Sequence, residues 1–460
     1  MFTLHDIAKA CNGQLISGQK EMRVSGVSCD SRTLQAGELF VALRGKRFDG
    51  HAFLKEVFQK GAACALVDRK PDSAFPVVVV DDTLKSLQRL ARFYRALFSI
   101  PVVAVTGSAG KTTTKECIGI LLSEVFRVRV GFGNWNNHIG VPLNIFKLSA
   151  DDQCLVLELG ANHTGEIAAL AKMAQPTVGV ITEICPVHLE GFGSLEGIYR
   201  AKLELADFLD GSGGTIIANG DDPELVARLK GRKSSLITFG RNKDCDYVLN
   251  HVATRNGLIY FKVNGKYEFR LRGHGAFNAI NALAAIATAG YFNLDLESLS
   301  EAWWMFPSIE GRFRLDRLEL RDIQIIDDSY NANPKSFERA VESFCELVGD
   351  RRKIVVVGDM LELGNQSRLY HEALGKLLAN RGIDQVIGVG SLSRFTLEAF
   401  AGASSETRTD HFEDPEAAGK FLFSILQEGD AILIKGSHGM RLDKVKPYLQ
   451  EHFKTTTAFV

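Results

Sequence analysis

The segment Val102–Glu116, V-V-A-V-T-G-S-A-G-K-T-T-T-K-E, constrains this chain more than any other stretch. Its opening apolar run, Val102–Val105, predicts a buried strand. Gly107, Ser108, Ala109 and Gly110 follow as a loop of small side chains, and Lys111 with Thr112, Thr113 and Thr114 opens a helix. A loop of this kind turns successive backbone N–H groups into one concavity, and the helix N-terminus adds positive potential there. The lysine reaches outer phosphates, and a following threonine hydroxyl can hold Mg²⁺. The spacing departs from the usual phosphate loop, which places about four residues between its first glycine and G-K-[S/T]. Here only Ser108 and Ala109 separate Gly107 from Gly110. The competing reading is an ordinary glycine-rich turn. The strand before it, the Lys-Thr-Thr after it and the lack of large side chains within it favour nucleotide binding.

A chain of 460 residues divides into roughly two to four domains. Hydrophobic content of 45% and charged content of 24% are those of a globular enzyme. A formal charge of −1 gives no reason to expect nucleic acid or an anionic membrane as partner. No apolar run reaches the ~18 residues of a membrane-crossing helix. The N-terminus M-F-T-L-H-D-I-A-K-A has charge inside any apolar stretch and is not expected to be a signal peptide. The eight cysteines are scattered, without C-x-x-C, and Cys154 precedes the apolar Leu155-Val156-Leu157. They read as reduced thiols of a cytoplasmic protein.

Three α/β regions follow from the pattern of apolar runs. Residues 1–98 mix short strands and helices, with a strand at Val77–Val80 and a helix near Leu84–Phe98, and Pro101 then breaks the helix. Residues 99–313 alternate strands (Val102–Val105, Leu155–Leu157, Val178–Ile181, Thr215–Ile217) with helices, which predicts a mostly parallel sheet covered on both faces. Tyr247–Leu271 reads instead as antiparallel strands turning at Arg255-Asn256-Gly257 and Asn264-Gly265, before an Ala-rich helix over Ala276–Ala289. Residues 314–460 form a second doubly wound unit with strands at Ile323–Ile326, Ile354–Val357, Gln385–Val389 and Ala431–Ile434. Each ends in a polar or glycine-containing loop, and ligands gather at such carboxyl ends. A cleft between the last two regions is the expectation.

Several side chains are placed to do chemistry there. Glu158 ends the apolar strand C-L-V-L-E, and a carboxylate beside a phosphate loop can bind Mg²⁺ rather than pair with a surface base. In L-E-G-I-Y-R-A-K-L-E-L-A-D-F-L the apolar positions Leu195, Ile198, Tyr199, Leu203, Ala206 and Leu209 form one helical stripe. Lys202 falls inside that stripe, while Arg200 and Glu204 lie off it. The stripe alone does not separate a snorkelling lysine from one aimed into a site. His188, in C-P-V-H-L-E-G, can ligate a metal, but a lone loop histidine reads first as structural. Asn134, Asn136 and Asn137 can bind sugar or phosphate, or organise turns through the backbone. Arg312, in G-R-F-R at the second boundary, can reach a phosphate across a cleft or make an interdomain ion pair. Asp327-Asp328-Ser329-Tyr330-Asn331-Ala332-Asn333-Pro334 is too dense in acids and amides for a mere turn.

Together these segments resemble the Mur ligase family of ATP-dependent amide-forming enzymes of peptidoglycan synthesis. T-G-S-A-G-K-T-T-T matches that family's phosphate loop, and L-E-L-G-A-N-H-T-G-E-I, H-L-E-G-F-G-S, Y-R-A-K, H-G-A-F-N-A-I-N-A, G-R-F and D-D-S-Y-N-A-N-P follow in the family's order. The similarity covers nearly the whole chain. It implies an N-terminal UDP-sugar-binding domain, a central phosphate-loop ATPase-like domain and a C-terminal Rossmann-like domain. D-D-S-Y-N-A-N-P-K-S with V-V-G-D-M-L-E-L-G is typical of the member that joins D-alanyl-D-alanine to UDP-N-acetylmuramoyl-tripeptide. The D-N-P-R signature of the preceding ligase, which adds a diamino acid, is absent. A regulatory nucleotide-binding module without ligation is the rival from another class. One departure is His438, where that member commonly has Arg.

The resemblance also implies roles. The phosphate loop, Gly107 to Thr113 with Lys111 as catalytic cation, would hold ATP, together with Asn281, Arg312 and, at the ribose, Asp328. Thr112, Glu158, His188 and Lys202 would organise Mg²⁺, with Lys202 carbamylated. Ser31 and Arg32 of D-S-R, with Asn134 and Asn137, would meet the UDP-muramoyl substrate. Tyr330, Asn331, Asn333 and Pro334 would lie on the dipeptide side. A cytoplasmic monomer, without nucleic acid or membrane insertion, completes the expectation.

Overall fold

The computed structural model describes residues 1–45, 48–72, 74–301, 311–318, 321–403, 408–452 and 455–457. Among these residues the strands form three sheets that follow one another along the chain. The first has five short strands. Val27–Ser28, Leu39–Val41, Cys64–Val67 and Val77–Val79 run parallel, and Gln14–Leu15 closes the edge antiparallel. The helix Thr83–Arg95, capped by Asp82, then leads to Pro101.

The second sheet has nine strands, and Val102–Thr106 lies between Cys154–Glu158 and Val178–Ile181, parallel to both. Val102, Val103, Ala104 and Val105 are fully buried. Burial at roughly 1.5–3 kcal/mol for each larger apolar side chain fixes the strand that carries the loop. The chain leaves this strand toward one side of the sheet and later returns on the other, so its carboxyl end is a topological switch point. The far edge is antiparallel, as expected: Tyr247–Arg255, Leu258–Val263 and Tyr267–Arg272 are joined by turns in which Asn256, Gly257, Asn264 and Gly265 all have positive φ. The helix Asn278–Tyr291 packs on the helix Lys111–Leu122, and its alanines permit the close approach that brings Asn281 against Gly110.

The third sheet has seven strands. Ile323–Asp328, Ala431–Lys435, Lys353–Gly358, Gln385–Val389 and Arg408–Phe412 are parallel neighbours in that order, and Arg314–Leu318 pairs antiparallel beside Ile323–Asp328. The carboxyl ends of Ile323–Asp328 and Ala431–Lys435 face the phosphate loop across one cavity. Among the described residues, all eight cysteines are free thiols and no helix is long and apolar enough to cross a membrane.

Candidate active site

Gly107, with φ of 146°, and Gly110, with φ of 80°, take backbone conformations that side chains disfavour. The four-residue loop between strand and helix is braced by the segment after Val178–Ile181. The Thr182 hydroxyl donates to Ala109 O at 2.6 Å, and Ser108 N donates to Glu183 O at 2.7 Å. The Ser108 hydroxyl donates to Cys185 O and accepts from Cys185 N. The helix starts at Lys111 without a side-chain cap, so its first N–H groups remain available to an anion. Lys111 Nζ donates to Gly107 O at 2.9 Å and Ser108 O at 3.3 Å, and burial lowers its pKa.

Around this loop lies a cavity of about 370 Å³. Thr112 and Glu158 meet in it, hydroxyl to carboxylate at 2.7 Å, and Asn136 Nδ2 holds the other carboxylate oxygen at 2.7 Å. Arg312 enters from the junction with the third sheet. It donates to the Thr112 hydroxyl at 3.0 Å and lies 4.3 Å over the Tyr330 ring, while its buried Nε has no acceptor among the described residues. A buried donor of this kind calls for a partner, and beside a phosphate loop an anion matches its charge.

Lys202 also lines the cavity and is 1% exposed. Among the described residues its ammonium has one hydrogen-bond acceptor, Ala161 O at 3.5 Å, and it lies 5.2 Å from the Phe192 ring. Desolvation, and then the charge of Lys111, pull its pKa down to about 7. The stripe holds from Ile198 through Leu209, but Leu195 is exposed, since it opens the helix next to its Ser194 cap. Glu204 is likewise not off the stripe. It is buried and accepts the N–H groups of Gly165 and Ala168, and so caps the helix Glu166–Ala174.

Other expected site residues have roles of their own in this arrangement. His188 lines the cavity with its pKa lowered by burial, and its Nδ1 meets the Glu362 carboxylate of the third region. Asn137 accepts from Ile139 N and Gly140 N and starts the helix Gly140–Ile145, while Asn134 contacts the Tyr330 hydroxyl. Asp328 is ion-paired with Lys435 at 2.6 Å and accepts from Phe313 N at 3.0 Å. Asn333 lines the cavity and is the N-cap of the helix Pro334–Val348; Pro334 occupies the first turn of that helix and does not line the cavity. Asn281, Tyr330 and Asn331 line the cavity; Ser31 and Arg32 do not. Ser31 is buried in the first region, and Arg32 is exposed and paired with Asp30.

The Thr112–Glu158 pair fits Mg²⁺, because both are hard oxygen donors and that ion takes one or two protein ligands beside phosphate oxygens and water. Among the described residues no group of three or more His, Cys, Asp and Glu side chains is arranged to hold a metal. Sequence reasoning missed Lys435, whose strand-end position was its only signal, and Lys115. The buried Lys115 donates to Gly131 O and Gly133 O and so fixes the loop that presents Asn134 and Asn136. Arg339 and Glu183 were missed as well. They lie 156 residues apart in sequence and pair through two 2.7 Å bonds.

Three family descriptions match the chain: the Mur ligase family catalytic domain over residues 23–95, the Mur ligase middle domain over 105–289, and the Mur ligase glutamate ligase domain over 311–438. A UDP-N-acetylmuramoyl-tripeptide–D-alanyl-D-alanine ligase of Bacillus subtilis is 35% identical over 96% of this chain and 97% of its own length. The Escherichia coli ligase of the same name is 34% identical over 98% of each. Among solved structures, MurF from Acinetobacter baumannii superposes with a TM-score of 0.87 at 30% identity, covering 98% of this chain and 99% of that one. MurF ligase from Thermotoga maritima in complex with ADP gives 0.80 at 30% identity, covering 94% and 97%.

Proposed function

The chain belongs to the Mur ligase family, and from that premise we propose how its residues perform the family's chemistry. The protein is an ATP-dependent ligase that joins D-alanyl-D-alanine to UDP-N-acetylmuramoyl-tripeptide in peptidoglycan precursor synthesis. A free carboxylate does not acylate an amine, because an oxide is too poor a leaving group. The γ-phosphoryl group therefore passes from ATP to the tripeptide's terminal carboxylate, leaving ADP. The dipeptide amine attacks the resulting acyl phosphate at carbon, the C–N bond forms, and inorganic phosphate leaves with the bonding pair.

The first step brings two anions together, so neutralisation and alignment are what the protein must supply. Lys111, the loop N–H groups and Arg312 do this in our assignment. The observation that carries it is the Arg312 guanidinium, which lines the cavity with Lys111 and donates to the Thr112 hydroxyl next to that lysine. Asn281 and Asp328 border the nucleotide. Thr112 and Glu158 would hold Mg²⁺, which supplies further charge neutralisation at the phosphates. Lys202 is proposed to carry a carbamate: its neutral amine attacks CO₂, an N–C bond forms and a proton leaves. The buried, poorly partnered Nζ supports this reading.

Residues 1–98 are assigned to the UDP-muramoyl end, with Ser31 and Arg32 at the sugar nucleotide. Residues 99–313 bind ATP, with Asn134 and Asn137 toward the donor. Residues 314–460 bring the dipeptide, beside Tyr330, Asn331, Asn333 and Pro334. The enzyme is proposed to act as a cytoplasmic monomer, where ATP and UDP-linked substrates are made. Phosphate release from ATP, measured with UDP-muramoyl-tripeptide and D-alanyl-D-alanine and in parallel with UDP-muramoyl-dipeptide and diaminopimelate or lysine, tests the reading. Release with the dipeptide is expected. Release with a diamino acid on a dipeptide donor instead would assign the preceding ligase step.

A further inference from the structure

Residues 182–190 run between the phosphate loop and the third region, and both hold them. On one side Thr182, Glu183 and Cys185 bond to Ala109 and Ser108. On the other, Arg339 of the helix Pro334–Val348 gives two 2.7 Å bonds to the Glu183 carboxylate. Further along, the Glu362 carboxylate meets His188 Nδ1, and Glu190 N donates to Glu362 O at 3.2 Å. Glu183 is thus double-ended. Its carbonyl oxygen holds Ser108 of the phosphate loop, and its side chain holds the third region.

We propose that Arg339 is a positioning residue: its grip on Glu183 sets the phosphate loop for phosphoryl transfer only while the third region is docked. The proposal rests on the ligase reading above. A planar fork on a carboxylate fixes orientation as well as distance, which a lone charge does not. Glu183 is 15% exposed and burial raises its pKa, so losing Arg339 leaves a poorly solvated carboxylate under the loop. Coupling of this kind has a chemical use. An acyl phosphate formed before the amine-bearing region arrives is open to water, and ATP is spent without product.

The test compares wild type, R339M, R339K, E183Q and the exchange E183R/R339E. Readouts are kcat and each KM for ligation, the Kd for ADP by calorimetry, and the radius of gyration with ADP by small-angle scattering. R339M and E183Q should lower kcat about tenfold while changing the ADP Kd by less than about threefold. R339K should recover little, because it lacks the fork, and the exchange should recover most of the loss. R339M should also have a larger radius than wild type with ADP bound. Unchanged kcat, an exchange no better than either single variant, an ADP Kd that weakens as much as kcat falls, or equal radii would each overturn the proposal. Absence of turnover in the wild type would count against the ligase reading, whereas the scattering comparison still decides the docking role.

Discussion

Lys202 has, among the described residues, a single acceptor at the limit of hydrogen bonding and a pKa lowered to about 7 from an ordinary 10.5. Between those two values the unfolded chain binds more protons at this site than the folded one. Stability therefore rises as pH climbs through the window, and the full cost of the buried charge is present below about pH 7. Lys202→Met removes that cost and keeps the volume. We expect a higher Tm than wild type at pH 6, and a difference that shrinks toward pH 9, measured by calorimetry in CO₂-depleted buffer. The same variant should lose most ligase activity if Lys202 carries the proposed carbamate. A wild-type protein that is fully active without the mass of one added CO₂ would remove the carbamate from the mechanism. So would a Tm difference independent of pH remove the lowered pKa.

Elements set the limits of what single residues can do. Gly107 has φ of 146°, and a Cβ there would overlap the Thr182 hydroxyl that braces the loop. Gly107→Ala should weaken ADP binding by more than about tenfold, through strain and loss of the brace. Calorimetry with ADP checks this, and an unchanged Kd would show that the loop tolerates rearrangement. Asn333 serves an element as well as the cavity it lines: its Oδ1 accepts from Ser336 N at 2.8 Å and begins the helix that carries Arg339. Asn333→Ala should cost about 1 kcal/mol of stability as a lost cap. A normal Tm with a raised dipeptide KM would instead give its amide to the substrate. The strand, loop and helix of the phosphate site were legible because strand period, small residues and Lys-Thr-Thr are local signals. So were the Asn-Gly hairpins. The Glu183–Arg339 and Asp328–Lys435 pairs were not, because their partners lie far apart in sequence and only the fold brings them together. Leu195 and Glu204 misled for a related reason. A helical stripe shows which face is apolar, but not where a neighbouring helix end needs a carboxylate.

At the scale of the molecule, the proposed assignment has the donor span two regions. Its UDP end is assigned to the region of Ser31 and Arg32, and its reacting carboxylate must reach the cavity beside Lys111, which those two residues do not line. The helix Thr83–Arg95 packs on the second region, where the Tyr94 hydroxyl donates to Leu148 O at 2.8 Å and Arg95 Nε to Ala174 O at 3.0 Å, and Gln88 Nε2 reaches His138 O at 3.3 Å in the loop before Gly140. Binding energy from the remote nucleotide can then be used to hold the carboxylate in line with the γ-phosphate, so that the UDP group contributes to kcat as well as to KM. Two outcomes follow. If Arg32 holds the sugar nucleotide as proposed, Arg32→Ala should raise the KM for UDP-muramoyl-tripeptide about tenfold while leaving the ATP and dipeptide KM values unchanged, because Arg32 lies outside the cavity that the phosphate loop lines. A muramoyl-tripeptide lacking the UDP group should show a lower kcat even at saturation. Steady-state kinetics with each substrate varied in turn measures both. If the truncated donor reaches the full kcat, the first region serves only as a tether, and alignment of the carboxylate is achieved wholly within the cavity between the second and third sheets.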